Sequence, residues 1–142
     1  MKTVFSDIQL SHDPKHEISD GQLKPAVEIP ERAEIVLRTI RERGLGEIME
    51  PEDFGRKPLL RVHSEDYLTF MEGFWDQWSA AGRNAEAFPF VWPIRSLRKD
   101  PVPDNIDGLL GRYSMDAGTP LGEHTFKAAK AAANTALTAA RL

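Results

Sequence analysis

The sequence predicts a mixed α/β chain, and three observations carry that reading. A short β-branched and aromatic run, Lys2 to Phe5, stands first; two segments with apolar residues three and four apart follow; an alanine-dominated stretch comes last. With 142 residues, 41% apolar and 28% charged, the composition is globular rather than disordered or fibrous, so one domain at most is expected over residues 1–142.

Taken in order, Lys2 to Phe5 reads as an edge or first strand, broken by the polar stretch Ser11 to His16 with Pro14 inside it. Pro30 opens an amphipathic helix over about 30–43. Glu31 and Glu34 lie in its first turn, Arg38, Arg41 and Arg43 lie near its end, and Gly44 follows, which is the charge order a helix macrodipole favours. Ala33, Val36, Leu37 and Ile40 fall on one face.

After a short apolar stretch around Ile48, Pro51 to Gly55 reads as a turn, and Leu59 to Val62 suits either a strand or a brief helical piece. Ser64 is placed to cap a second helix, in which Tyr67, Leu68, Met71, Phe74, Trp75 and Trp78 recur at helical spacing up to Ala81-Gly82. Residues 82–124 then hold five of the ten prolines, a basic patch of Arg95, Arg98 and Lys99, and the apolar Phe88, Phe90, Val91, Trp92 and Ile94. A loop this long is functional or a linker, and its aromatic load favours something packing on it. Thr125 starts the last helix, in which eight of the thirteen residues 128–140 are alanine; such a helix stabilises by lying close against larger elements.

Composition excludes several functions. The chain has no cysteine, so disulfides, thiolate metal sites and a cysteine nucleophile are out, and any metal would need carboxylates and some of the four histidines. A net charge of −4 with mixed signs gives no electrostatic footprint for nucleic acid. No apolar stretch approaches the roughly 20 residues of a bilayer span, and the first residues reach Asp7 too soon for a signal peptide's apolar core, so a cytoplasmic protein is expected, with no membrane partner.

The residues themselves contain no complete catalytic apparatus. His12 and His16 stand four apart, but Pro14 between them disfavours the helix that would bring them together; His63 and His124 each precede a helix. No Gly-x-Ser-x-Gly elbow, phosphate loop or dinucleotide fingerprint occurs, and Gly44-Leu45-Gly46 follows a helix, the wrong context. The adjacent pairs Glu52/Asp53 and Glu65/Asp66 suit solvated faces, and the stripe of Tyr67, Phe70, Phe74, Trp75 and Trp78 suits a core or an interface.

Several segments nevertheless share one pattern. Val4-Phe5-Ser6, then Glu28-Ile29-Pro30-Glu31-Arg32 leading into a helix and Gly44, then Leu60-Arg61-Val62-His63-Ser64-Glu65-Asp66-Tyr67-Leu68-Thr69-Phe70, resemble in order the amino-terminal third of the zinc-dependent histone deacetylase superfamily. Within it, Phe74-Trp75-Asp76-Gln77-Trp78, the segment Pro101 to Gly108 and Gly111-Arg112-Tyr113 look most like the bacterial acetylpolyamine amidohydrolases.

The resemblance implies the amino-terminal part of an arginase-deacetylase fold, a three-layer αβα arrangement on a parallel sheet. It implies zinc held by two Asp and one His that come later in the family's pattern than the helix at 125–141, and this chain has neither Gly-His-His nor Asp-x-His. A chain of this content is expected to be inactive alone and marginally stable or associated. The segment 82–124 resembles an insertion that crosses to a second subunit, forms a homodimer and narrows the pocket for an acetylated polyamine, with Phe88, Phe90 and Trp92 as interface anchors. Asp107 matches the acid of the family's Ile-acid-Gly segment, and Asp116 neighbours a second acidic position that falls near Gly118. Solvated loop carboxylates are the simpler reading of both, and a non-catalytic protein-interaction module is the alternative for the whole chain.

Overall fold

The computed structural model describes residues 1–93 and 102–142. The basic patch Arg95, Arg98 and Lys99, with Ile94 and Pro101, lies outside them. The described residues form two compact units, one built from residues 1–13, 27–62 and 124–142 and the other from 14–26 and 63–123.

In the first unit, strand β1 (Thr3–Val4) pairs in parallel with a later strand (Ile48–Met49), Thr3 opposite Ile48 and Val4 opposite Met49. Bonds from the Thr3 amide to the Glu47 carbonyl (2.9 Å) and from the Phe5 amide to that of Met49 (3.0 Å) extend the ladder by a residue at each end. A 3-10 turn, Asp7–Ser11, follows β1, where a plain loop was expected. Helix α1 (Glu31–Glu42) forms as its charge order and Pro30 predict, but only Leu37 of its apolar face is buried, and Val36 is exposed.

The last helix of the chain (Thr125–Arg141) packs on that 3-10 turn and on β1, with Ala128, Ala131 and Thr138 buried. Its polar side holds the turn at 51–55. Thr138 Oγ1 accepts from the Glu52 amide (2.9 Å), Asn134 Oδ1 from the Phe54 amide (3.2 Å), and Arg141 pairs with Glu52 (2.6 Å). Asp53 is held ionised below the usual carboxylate range by the Gly55 amide first, then by Lys130 and Asn134. The ambiguous stretch after that turn is a 3-10 helix, Leu59–Arg61, not a strand.

The second unit contains a hairpin the alternation of residues did not suggest. Strands β2 (His16–Ser19) and β3 (Gln22–Pro25) pair antiparallel around Asp20-Gly21, whose φ values of 53° and 70° are both positive. That is the geometry of a type I′ two-residue turn, and Asp-Gly is its preferred sequence. With the strand at 48–49 now β4, the chain continues into helix α2 (Glu65–Ala80), which buries Leu68, Phe70, Phe74 and Trp78. Ser64 stands at its N-cap but makes no side-chain cap bond; its hydroxyl goes instead to Asp66.

Segment 82–124 is not uniformly irregular. It carries an eight-residue helix, α3 (Ile106–Tyr113), capped by Asn105, whose Oδ1 accepts from the Gly108 amide (2.8 Å). Reciprocal bonds between Ala87 and Leu121 (2.9 and 3.0 Å) tie the two ends of the segment together. Phe70, Phe74, Trp78, Ala87 and Leu110 make one buried cluster, with Trp75, Ile106, Leu109, Tyr113 and Leu121 packed on it. Three rings of the α2 stripe, Phe70, Phe74 and Trp78, are therefore core and Trp75 packs on them, one of the two readings its spacing allowed. Helix α4 is the alanine-rich helix of the first unit. No helix among the described residues is long and apolar enough to cross a membrane.

Candidate functional site

The second unit collects the chemically distinctive side chains. Aromatic rings follow one another from His63 to Tyr67 (5.1 Å between centroids), Tyr67 to Tyr113 (5.9 Å), Tyr113 to Phe70 (4.8 Å, stacked), Phe70 to Phe74 (5.5 Å) and Phe74 to Trp78 (5.6 Å, stacked). Offset and tilted rings at such spacings add to the burial of their area. Tyr113 Oη donates to Asp66 Oδ2 (2.8 Å). Burial first, and then that bond, push the Tyr113 phenol up, while the Ser64 hydroxyl and Tyr113 together hold Asp66 below the usual carboxylate range.

At the other end of this stack the Arg83 guanidinium lies 4.3 Å from the centre of the Trp78 ring, and Trp78 Nε1 donates to the Ala85 carbonyl (2.8 Å). Arg83 grips Asp107 with both terminal nitrogens: Nη1 donates to Oδ1, and Nη2 to Oδ2 at 2.8 Å. This bidentate pairing holds the Asp107 carboxyl below its usual range and therefore ionised at neutral pH.

Asp107, expected from the resemblance as a substrate-facing acid, is thus a partnered carboxylate in the first turn of α3 and not a freely solvated one. Asp116 is exposed, and its Oδ1 accepts from the Gly118 amide (2.7 Å), closing a short polar turn. The two acids are held by different partners. Among the expected interface residues, Phe88 is half-buried, whereas Phe90 is 66% and Trp92 43% exposed, so the last two present apolar surface. Sequence reasoning missed Arg83 and Glu86. Glu86 binds the hairpin, accepting from the Lys15 amide and pairing with His16 Nδ1 (2.9 Å). Burial works to raise Glu86, but those bonds outweigh it and leave its carboxyl lowered. No spacing rule marks either residue, because each finds its partner 24 or 70 positions away.

The histidines do not converge. His12 Nδ1 lies 3.1 Å from Thr125 Oγ1, His16 binds Glu86, His63 stacks near Tyr67, and His124 stands at the N-cap of α4. Among the described residues no group of three or more His, Asp or Glu side chains is arranged to hold a metal ion. The zinc implied by the resemblance therefore finds no fitting ligand set in them.

A parallel β1–β4 ladder with α4 packed on β1, and the α2–α3 aromatic unit beside it in sequence, defines a class before it defines a family: the α/β arginase-deacetylase fold. Residues 26–142 match the histone deacetylase domain, and the chain belongs to that family. It is 45% identical over 137 residues to acetylpolyamine amidohydrolase 2 of Pseudomonas aeruginosa, covering 96% of this chain and 40% of that protein. It is 41% identical over 140 residues to acetylpolyamine amidohydrolase 1 of the same organism, covering 98% of this chain and again 40% of the relative. The crystal structure of an acetylpolyamine aminohydrolase from Burkholderia pseudomallei superposes with a TM-score of 0.87 at 31% identity, over 99% of this chain and 40% of that one. The chain thus spans about 40% of the length of the relatives it matches, and a partial, amino-terminal stretch of such an enzyme fits that coverage.

Proposed function

We propose that this chain is part of a zinc-dependent deacetylase that hydrolyses the acetyl amide of acetylated polyamines, to which it contributes the segment 82–124 as a dimer-forming and pocket-narrowing element. The observation that carries the reading is the 45% identity to an acetylpolyamine amidohydrolase over 96% of the chain, a match long enough to take in that segment. The family implies a metal, and its ligands are not among the described residues. What these residues would supply is recognition.

A narrow mouth admits a slender aliphatic amine and turns away an acetylated lysine on a folded protein. Ionised carboxylates between low-dielectric walls attract ammonium groups more strongly than they would in open water. Asp107 is ionised, but Arg83 matches its charge; its contribution is short-range, through the acceptor positions the guanidinium leaves, about two of a carboxylate's four. Asp116 is exposed and its charge faces solvent. Phe90 and Trp92 offer the apolar area an interface anchor needs. The same two rings also suit the alternative, a non-catalytic module that binds another protein.

The test places this chain in acetylpolyamine amidohydrolase 2 of Pseudomonas aeruginosa in exchange for the matched stretch. The chimera is expected to release acetate from N-acetylputrescine or N-acetylspermidine faster than from an acetyl-lysine peptide, and to sediment as a dimer. A folded, zinc-loaded chimera that prefers the peptide would contradict the polyamine reading, and a chain that binds an unrelated protein tightly while the chimera stays inactive would favour the alternative.

A further inference from the structure

We propose that Arg83 is the positioning residue that aims the Asp107 carboxylate and fixes α3, and with it the aromatic segment 90–92, on the α2 core; the proposal rests on the deacetylase reading above. Three observations place it there. The Arg83 guanidinium lies over Trp78, a ring 7% exposed and further fixed by its bond to the Ala85 carbonyl, so the cation rests on a rigid platform. The guanidinium fork meets both oxygens of Asp107, which determines the rotation of the carboxylate as well as its position. The two side chains are only 36% and 27% exposed, so the pair is partly withdrawn from water.

The effect passes from Asp107 to the aromatic segment through α3. Asp107 belongs to the first turn of that helix, where a negative charge is also favoured by the helix dipole. Four residues on, Gly111 meets Val91 so closely that an added Cβ would strike the Val91 carbonyl oxygen. Helix α3 therefore lies directly against the backbone at 91, and Phe90 and Trp92 flank that contact point. Releasing Asp107 loosens the start of α3, and the aromatic pair moves with it. Lysine cannot replace Arg83, because an ammonium has neither the planar fork nor the stacking face.

The experiment uses R83K, R83Q, D107N and the double variant R83Q/D107N. In the chimera each single change is expected to raise KM for N-acetylspermidine about tenfold while kcat stays within about twofold, since a contact remote from the reacting amide that holds substrate and transition state equally acts on KM alone. The double variant should be no worse than either single, as expected for partners in one interaction. In the 142-residue chain, R83K and R83Q should speed hydrogen exchange of the amides at 106–113 about tenfold, as local opening of α3 becomes easier. Unchanged KM in all variants, losses confined to kcat, or α3 exchange equal to that of the parent in both Arg83 variants would overturn the proposal. If the parent chimera shows no polyamine deacetylation while α3 exchange still accelerates, the positioning role stands and the function reading falls.

Discussion

Residues 63–123 bury Phe70, Phe74, Trp78, Ala87 and Leu110 in one cluster, whereas residues 1–13, 27–62 and 124–142 bury Leu37 and the alanines 128 and 131 and contain a parallel ladder of two residues per strand. The first set is a core of large side chains; the second is a frame of small ones. A parallel sheet is stable when further strands flank it and helices cover both faces, and three or more strands with an apolar face are the usual minimum. Ile35, Val36, Leu60 and Val62 stay exposed in that frame. The lesson is that a helix face read from sequence reports which residues would be buried in a complete sheet, and it says nothing about whether these 142 residues contain what buries them.

The contrast can be broken by mutation. Phe74→Ala removes a 2% exposed ring from the cluster and should cost about 3–5 kcal/mol. Val36→Ala, at 58% exposure on α1, should change stability by less than about 0.5 kcal/mol. Urea midpoints of the purified chain check both, and a Val36→Ala loss as large as that of Phe74→Ala would erase the distinction. Next in size, Gly111→Ala forces its Cβ into the Val91 carbonyl, a backbone group that cannot turn aside, and should cost about 1–3 kcal/mol. A neutral result by thermal melting would separate α3 from the segment at 91.

The smallest effect is a pH dependence. The folded-state pKa of Glu86 is lowered, so the stability it contributes is fully present above its ordinary value of 4.5 and is lost as pH falls through the lower folded value. Glu86→Gln should remove that acid-side dependence, leaving urea midpoints of variant and parent convergent at low pH and the parent ahead at neutral pH. Parallel midpoint curves for the two proteins would show that the hairpin does not depend on this carboxylate.

Much of the fold was legible. Pro30, the Glu-to-Arg charge order and Gly44 marked α1; the spacing of Leu68, Phe74 and Trp78 marked α2; the run of alanines marked α4. The hairpin has one strong local signal, the Asp20-Gly21 turn, but Glu17, Ile18 and Ser19 barely alternate, so no strand pattern flanks it. Helix α3 was hidden because Gly108 and Gly111 lower helix propensity, and tertiary contact at Pro103 and Val91 is what makes those glycines useful. The site was legible only in part. Asp107 was singled out on a motif, but its partner Arg83 depends on the path of the chain between α2 and α3, which no local rule supplies.

The most direct test of the account measures acetate release from N-acetylspermidine in the presence of zinc, with the 142-residue chain alone and with the chimera that carries it. Turnover by the chimera and none by the chain is the predicted result, because no group of three His, Asp or Glu side chains among the described residues is arranged to hold a metal ion. Zinc-dependent turnover by the chain alone, or a folded and zinc-loaded chimera without turnover, would contradict it.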